Sequence, residues 1–413
     1  MRHHFRVAAC ARDGARPLGV HIDSFVEHLV ALGYAQATIR SQLPLVRAFE
    51  QWLARHRVPV ADLNEGVVDA FLDTPRLRRR RQRGSASTLA RFLTYLRAQG
   101  AVVSPTRVAD DSPRAQLERR YHHYLRIERG LATTTVQTYL AFCHQFLTEQ
   151  RGQAESPVGT CSAADISAFV RRHARAASPG RAKMMVTALR ALFRFLFHTS
   201  ELGIDLSGAV PTVPDWRLAS IPRSLAAHEV ERLLTACDPQ TATGRRDHAI
   251  LLLLARLGLR AGEVVALELD DLQWRAGEIT IRGKKGLRHD RFPLPADVGA
   301  AVATYLRRDR PPSTVRRVFL CMRAPRRSFA GPGAVTTIVR RALHRADLHP
   351  PVRGAHLLRH SLATQMLRHG ASFAEIGQVL RHRAASSTEI YAKVDLDRLR
   401  AVVQPWPEMG GVR

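Results

Sequence analysis

His356-Leu357-Leu358-Arg359-His360-Ser361, then Leu380-Arg381-His382, then Tyr391 nine residues further on (391 − 382): this stretch decides how the rest of the chain is read. His356 and Arg359 stand three apart, so on a helix they share one face. Upstream lies Leu257-Gly258-Leu259-Arg260-Ala261-Gly262-Glu263-Val264, in which Gly258 closes an apolar helical run and Arg260 follows it. Between the two, Glu278-Ile279-Thr280-Ile281-Arg282 and Arg291-Phe292-Pro293-Leu294 read as a β-hairpin. Its turn, Gly283-Lys284-Lys285-Gly286, is basic and flanked by glycine. The C-terminal half thus carries, in order, an arginine, a lysine pair, a His-x-x-Arg unit, a further histidine and a tyrosine.

A helix is expected from near Ala226, through Glu229, Val230, Leu233 and Leu234, and another from Ile250 to Leu257, with helices resuming after the hairpin. Ahead of them Pro211, Pro214 and Pro222 make Ala209 to Arg223 an extended linker. The first half repeats itself weakly. Gly33, Thr38, Ile39, Leu43 and Phe49 match Gly130, Thr135, Val136, Leu140 and Phe146 at an offset of 97 (130 − 33). Val68-Asp69-Ala70-Phe71 parallels Ile166-Ser167-Ala168-Phe169 at 98 (166 − 68), and Phe92, Tyr95 and Leu96 parallel Leu192, Phe195 and Leu196 at 100 (192 − 92). A slowly drifting offset is the mark of a duplicated unit with small insertions. Both copies read as helical, with Thr133, Thr134 and Thr135 as N-cap candidates in the second. Ser104-Pro105 to Ser112-Pro113 forms the linker between them. The expected fold class is mainly α. Helical units lie at 18–103 and 113–208, and an α+β domain with a small sheet lies at 224–403.

The chain has 413 residues and a net charge of 63 − 36 = +27, mostly arginine. Two readings of that excess stay open: a polyanionic partner, whose phosphates suit guanidinium forks, or a GC-rich coding sequence. Arg76-Leu77-Arg78-Arg79-Arg80-Arg81-Gln82-Arg83 is the densest patch, either a backbone contact to nucleic acid or a solvated loop. Five scattered cysteines (Cys10, Cys143, Cys161, Cys237, Cys321) exclude a disulfide framework and fit a reducing cytosol. No apolar run approaches the ~18 residues of a membrane span, and the N-terminus lacks the apolar core of a signal peptide, so a cytoplasmic location is expected.

The ordered pieces of the C-terminal half resemble the catalytic domain of the tyrosine recombinase (phage integrase) family, over about residues 224 to 403. That family carries Arg, a hairpin Lys, His-x-x-Arg, His or Trp, and Tyr in this order. A single His-x-x-Arg means little; five pieces in register are specific. The upstream helical units look like the family's SAM-like core-binding domain, here present twice. The resemblance implies a site-specific DNA recombinase with Arg260, Lys284 or Lys285, His356, Arg359, His382 and Tyr391 as its catalytic set. It implies no cofactor, and double-stranded DNA as partner. It also implies a homo-tetramer on synapsed DNA, with accessory recombinases as further candidates.

The chemistry of these residue types agrees. Transfer of a phosphodiester to a protein hydroxyl needs a nucleophile, charge stabilisation and an acid for the leaving group. Tyr391 offers a phenol of ordinary pKa near ~10, and Ser386 to Glu389 has the form of a helix cap just before it. Arg260 and Arg359 suit the spread charge of a phosphorane, which needs no metal. His356 is a proton acceptor from Tyr391 or a donor to the phosphate, and His382 a second donor. A zinc site at His356 and His360 lacks its acid, since position 357 is leucine, so His360 reads as a packed, hydrogen-bonded core histidine. Glu263 orients a neighbour or is an ordinary cap. Lys284 and Lys285 stand where the family usually has one lysine, and the choice between them stays open; Arg381 stands where the family often has glycine. Beyond Tyr391, Val394, Leu396, Leu399, Val402 and Val403, followed by Pro405-Trp406-Pro407, form an apolar tail that closes its own domain or docks on a neighbour. No Gly-x-x-x-x-Gly-Lys-[Ser/Thr] loop implies ATP. The rival readings are a type IB topoisomerase-like activity and a DNA-binding regulator without strand exchange.

Overall fold

Leucine, phenylalanine and valine at three- and four-residue spacing drive this chain into helices, and each group of helices closes on its own apolar seam. The computed structural model describes residues 18–75, 77, 84–103, 110–149, 161–214, 222–283, 289–382 and 384–394. Lys284 and Lys285, the arginines of the 76–83 run and the tail from Leu396 lie outside the described residues. By backbone contacts the chain divides into two compact units, residues 1–105 together with 221–413, and residues 106–220.

In the first unit, α1 (Gly19–Ala31), α2 (Gln36–His56), α3 (Glu65–Leu72) and α4 (Ser85–Ala98) enclose Phe25, Phe49, Leu53, Phe71, Phe92 and Leu96. The second unit holds α5 (Pro113–His123), which runs into a π-helical turn at Tyr124–Glu128, then α6 (Thr133–Glu149), α7 (Ala163–Ala176) and α8 (Pro179–His198). Matched positions of the sequence repeat take matched places: Ile39 and Val136, Phe49 and Phe146, Phe71 and Phe169, and Leu96 and Leu196 are all buried. Gly33 and Gly130 both turn the chain at positive φ ahead of α2 and α6. The threonines at 133–135 fall inside the first turn of α6 rather than ahead of it, because the Ala132 carbonyl already accepts from Val136 N at 3.0 Å.

The C-terminal part of the first unit is built around α10 (Ala242–Arg256), which follows α9 (Ala227–Thr235). Ala249, Ile250, Leu251, Leu252, Leu253 and Leu254 are all buried, so this helix is covered on every side, as an all-round apolar helix must be. Short α11 (Ala261–Ala266) leads into an antiparallel sheet of order β1-β2-β3: β1 (Leu272–Gln273), β2 (Glu278–Arg282) and β3 (His289–Pro293). Ile279 pairs with Leu272 on one side and Phe292 on the other. Strand β3 starts two residues before the expected Arg291, since His289 and Asp290 carry no strand signal and are held by register alone. The two-residue β1 has no sequence signal either. Helices α12 (Ala296–Arg308), α13 (Pro332–Arg345), α14 (His356–Arg368) and α15 (Phe373–Val379) complete the core. The described chain ends in 3-10 turns at Ala385–Ser387 and Glu389–Val394. No described helix is long and apolar enough to cross a membrane.

Candidate active site

Arg260 owes its place to Gly258. That residue ends α10 with φ +57°, a region that side chains with a Cβ enter at a cost. A Cβ there would lie 2.7 Å from Leu380 Cδ2 and 3.0 Å from Leu362 Cδ2. The chain therefore passes tightly under α14 and the end of α15, and delivers Arg260 two residues later at the head of α11. Glu263, one turn on, accepts from Arg260 N at 2.7 Å and from its Nη1 at 2.8 Å. It thus caps the helix and orients the guanidinium at once, which joins the two readings left open for it. Burial pushes the Glu263 carboxyl up, but Arg381 and Arg260 together hold it below its ordinary value.

Helix α14 presents His356, Arg359 and His360 from its first two turns. His356 is the exposed first residue, and Leu357 and Leu358 anchor the helix in the core. Arg359 is buried, its Nη1 donating to Gly258 O at 2.5 Å and its Nη2 to Leu380 O. Burial, then Arg260 and Arg381, lower its pKa to about 10, so the site holds positive charge that lacks full compensation. Loss of water around the ring, then Arg359 and Arg260, pull His356 below its ordinary pKa.

Ser372 caps α15 reciprocally with Glu375, and the chain then turns through Arg381 to His382. His382 N donates to Gly377 O at 2.9 Å, and its Nδ1 meets Thr388 Oγ1 at 2.8 Å. Burial and the nearby arginines lower the His382 pKa to about 4. Three residues past Thr388, Tyr391 sits in the 3-10 turn with its backbone N on Thr388 O at 3.0 Å. Where the Ser386–Glu389 pattern suggested a helix start, the chain forms two separate 3-10 turns, 385–387 and 389–394. The Tyr391 ring is 1% exposed, and its hydroxyl lies 2.8 Å from His360 Nδ1. Burial lifts the phenol to about 12 against the pull of Arg359, and burial, then His356 and Arg359, drop His360 to about 4. Both groups are therefore uncharged near neutral pH and share a single hydrogen bond between Oη and Nδ1.

Arg260, His356, His382 and Tyr391 all lie within electrostatic reach of Arg359; Lys284 and Lys285 fall outside the described residues. Two further residues in contact with this set, His360 and Arg381, are invisible to sequence spacing. His360 reads there only as a packed core histidine, and Arg381 only as a departure from the family's usual glycine. The contact of His360 with Tyr391 crosses 31 residues, beyond any helical periodicity.

With this geometry in place, relatives are informative. A putative integrase/recombinase of Sinorhizobium fredii (strain NBRC 101917 / NGR234), y4rA, is 41% identical over 401 residues, covering 97% of each chain. The chain belongs to the phage integrase family of tyrosine recombinases. The Phage integrase family profile matches residues 223–398, and that of the phage integrase N-terminal SAM-like domain matches 119–200. This recombinase is also 29% identical to the tyrosine recombinase XerD of Listeria monocytogenes, over 68% of its own chain and 94% of XerD. Among solved structures, XerH bound to a palindromic difH substrate superposes with a TM-score of 0.55 at 19% identity, over 76% of this chain and 93% of that one. A lambda integrase (75-356) dimer bound to a COC' core site gives 0.52 at 17%, over 71% and 99%. These two show the fold. The protein is thus a tyrosine recombinase, an enzyme of site-specific DNA recombination through a tyrosine intermediate.

Proposed function

We propose that Tyr391 is the nucleophile of this recombinase and that Arg260 and Arg359 clamp the scissile phosphate. One observation carries this reading: two guanidiniums, both held by backbone carbonyl contacts, and the buried phenol lie within electrostatic reach of one another around Arg359. Tyr391 Oη attacks phosphorus and the bond to the 5′ oxygen breaks, leaving a 3′-phosphotyrosyl ester. Lys284 or Lys285 gives the departing 5′ oxygen its proton, and His356 takes the phenol's proton or donates to a phosphate oxygen. His382, held by Thr388, is the second donor to the phosphate. A 5′-hydroxyl from a second duplex reverses the step and restores the protons. Fixed donors aimed at a dispersed charge supply most of the stabilisation in such a transfer. In the free protein the phenol is sheltered by His360, so cleavage requires the 389–394 turn to carry it toward the phosphate.

The partner is double-stranded DNA, gripped by the helical units at 18–103 and 113–208 and by the catalytic part at 224–403. Four protomers act on two synapsed sites, alone or with accessory recombinases, and the reaction moves a mobile element. A net charge of +27 supports the affinity for phosphate. A plasmid carrying two copies of the DNA that flanks the protein's own gene tests this. Deletion or inversion products are expected. Relaxation without rearrangement would assign a topoisomerase activity instead, and binding without any breakage would assign a regulator.

A further inference from the structure

We propose that Arg381 is a positioning residue that sets Arg260 for the phosphate, acting through Glu263. The inference rests on Arg260 being a clamp for the scissile phosphate. Arg381 adopts φ +55°, a left-handed conformation that strains a residue with a Cβ and costs glycine almost nothing. Its side chain is nevertheless 7% exposed, a second unfavourable feature for a guanidinium. Both are offset by contacts that converge on the site. Arg381 Nη2 donates to Glu263 Oε2 at 2.8 Å, while Arg260 Nη1 holds the other oxygen, Oε1, also at 2.8 Å. The Arg381 carbonyl accepts from Arg260 Nη2 at 3.2 Å, so side chain and backbone of one residue bear on the same guanidinium. The Arg381 guanidinium lies 5.0 Å from the Phe292 ring centroid, which ties β3 of the hairpin to the cluster. Nη1 donates to Val379 O at 3.2 Å, fixing the turn that precedes His382.

The charged groups facing Arg381 are Glu263 and Arg260 of α11, Asp290 of β3 and Arg359 of α14. Glu263 reaches Arg260 through hydrogen bonds to both its backbone and its guanidinium. Alone with Arg260 it would neutralise that guanidinium and compete with a phosphate for its N–H groups. Shared with Arg381, it keeps Arg260 in place and leaves it charge to offer. Glycine would take this backbone angle without strain but would forfeit the contacts to Glu263, Phe292 and Val379, so the two effects on stability oppose each other while the loss of Arg260's support acts on catalysis alone.

The unsubstituted protein, Arg381→Gly and Arg381→Lys are compared by single-turnover formation of the covalent adduct on a nicked suicide substrate, by thermal midpoint and by DNA affinity. Tyr391→Phe serves as control. Arg381→Gly should shift the thermal midpoint only slightly, relief of backbone strain offsetting the lost contacts, and bind DNA within about twofold, since phosphate contacts elsewhere dominate affinity. Its adduct should form roughly tenfold or more slowly, as expected for a misplaced catalytic group. Arg381→Lys, which keeps the charge, should recover part of that rate. A wild-type rate in Arg381→Gly, or a loss that only follows a fall in thermal midpoint in both variants, would overturn the proposal. An adduct that still forms at the wild-type rate in Tyr391→Phe would instead overturn the site assignment beneath it.

Discussion

Tyr391 and His360 hold each other in a neutral pair, and the loss of solvent that lifts the phenol also depresses the imidazole. His382 is depressed in the same way. An imidazole of ordinary pKa ~6.5 whose folded value is about 4 favours folding while neutral, above the unfolded value. That contribution is lost as pH falls from ~6.5 toward 4. The thermal midpoint should therefore drop between pH 7 and pH 5, and the drop should be smaller in His360→Gln; an equal drop in both proteins would show that protonation of His360 is not its source. Reagents that nitrate phenols should spare Tyr391 in the free protein and reach it once DNA is bound, read by peptide mass. At this scale Arg260, His356, Arg359, His382 and Tyr391 were legible because their order and spacing lie along the chain. The roles of His360 and Arg381 were not, because they arise from contacts across 31 and 118 residues, which no local pattern encodes.

Elements explain why those side chains arrive together. Helix α10 was visible as an apolar run, and Gly258 as its end, but the reason for glycine appears only in the packing of Leu362 and Leu380 against it. Gly258→Ala combines a positive φ with a 2.7 Å approach and should cost roughly 1–3 kcal/mol in urea unfolding. It should slow adduct formation as well, because Arg359 Nη1 rests on the same residue's carbonyl. A stable and fully active Gly258→Ala protein would contradict this. The hairpin was legible from alternating β-formers in Glu278–Arg282, whereas His289 and Asp290 join the sheet by register with Arg282 and Ile281.

Across the whole molecule, positions matched at an offset of 97–100 residues, such as Phe49 and Phe146 or Leu96 and Leu196, are buried in both helical groups. What the offset could not foretell is that residues 1–105 share a compact unit with 221–413. There Arg326 N donates to Leu32 O at 2.9 Å, a contact between segments nearly three hundred residues apart. If both helical groups grip DNA, removing residues 1–105 should shorten the nuclease footprint and flatten the dependence of affinity on salt, as fewer phosphates are neutralised. An unchanged footprint and slope would remove the first group from the interface. The most direct test of Tyr391 as nucleophile is to digest the trapped DNA adduct and sequence the peptide that carries the nucleotide. A 3′-phosphate ester on Tyr391 is expected, with none in Tyr391→Phe. A nucleotide found on any other residue would contradict it.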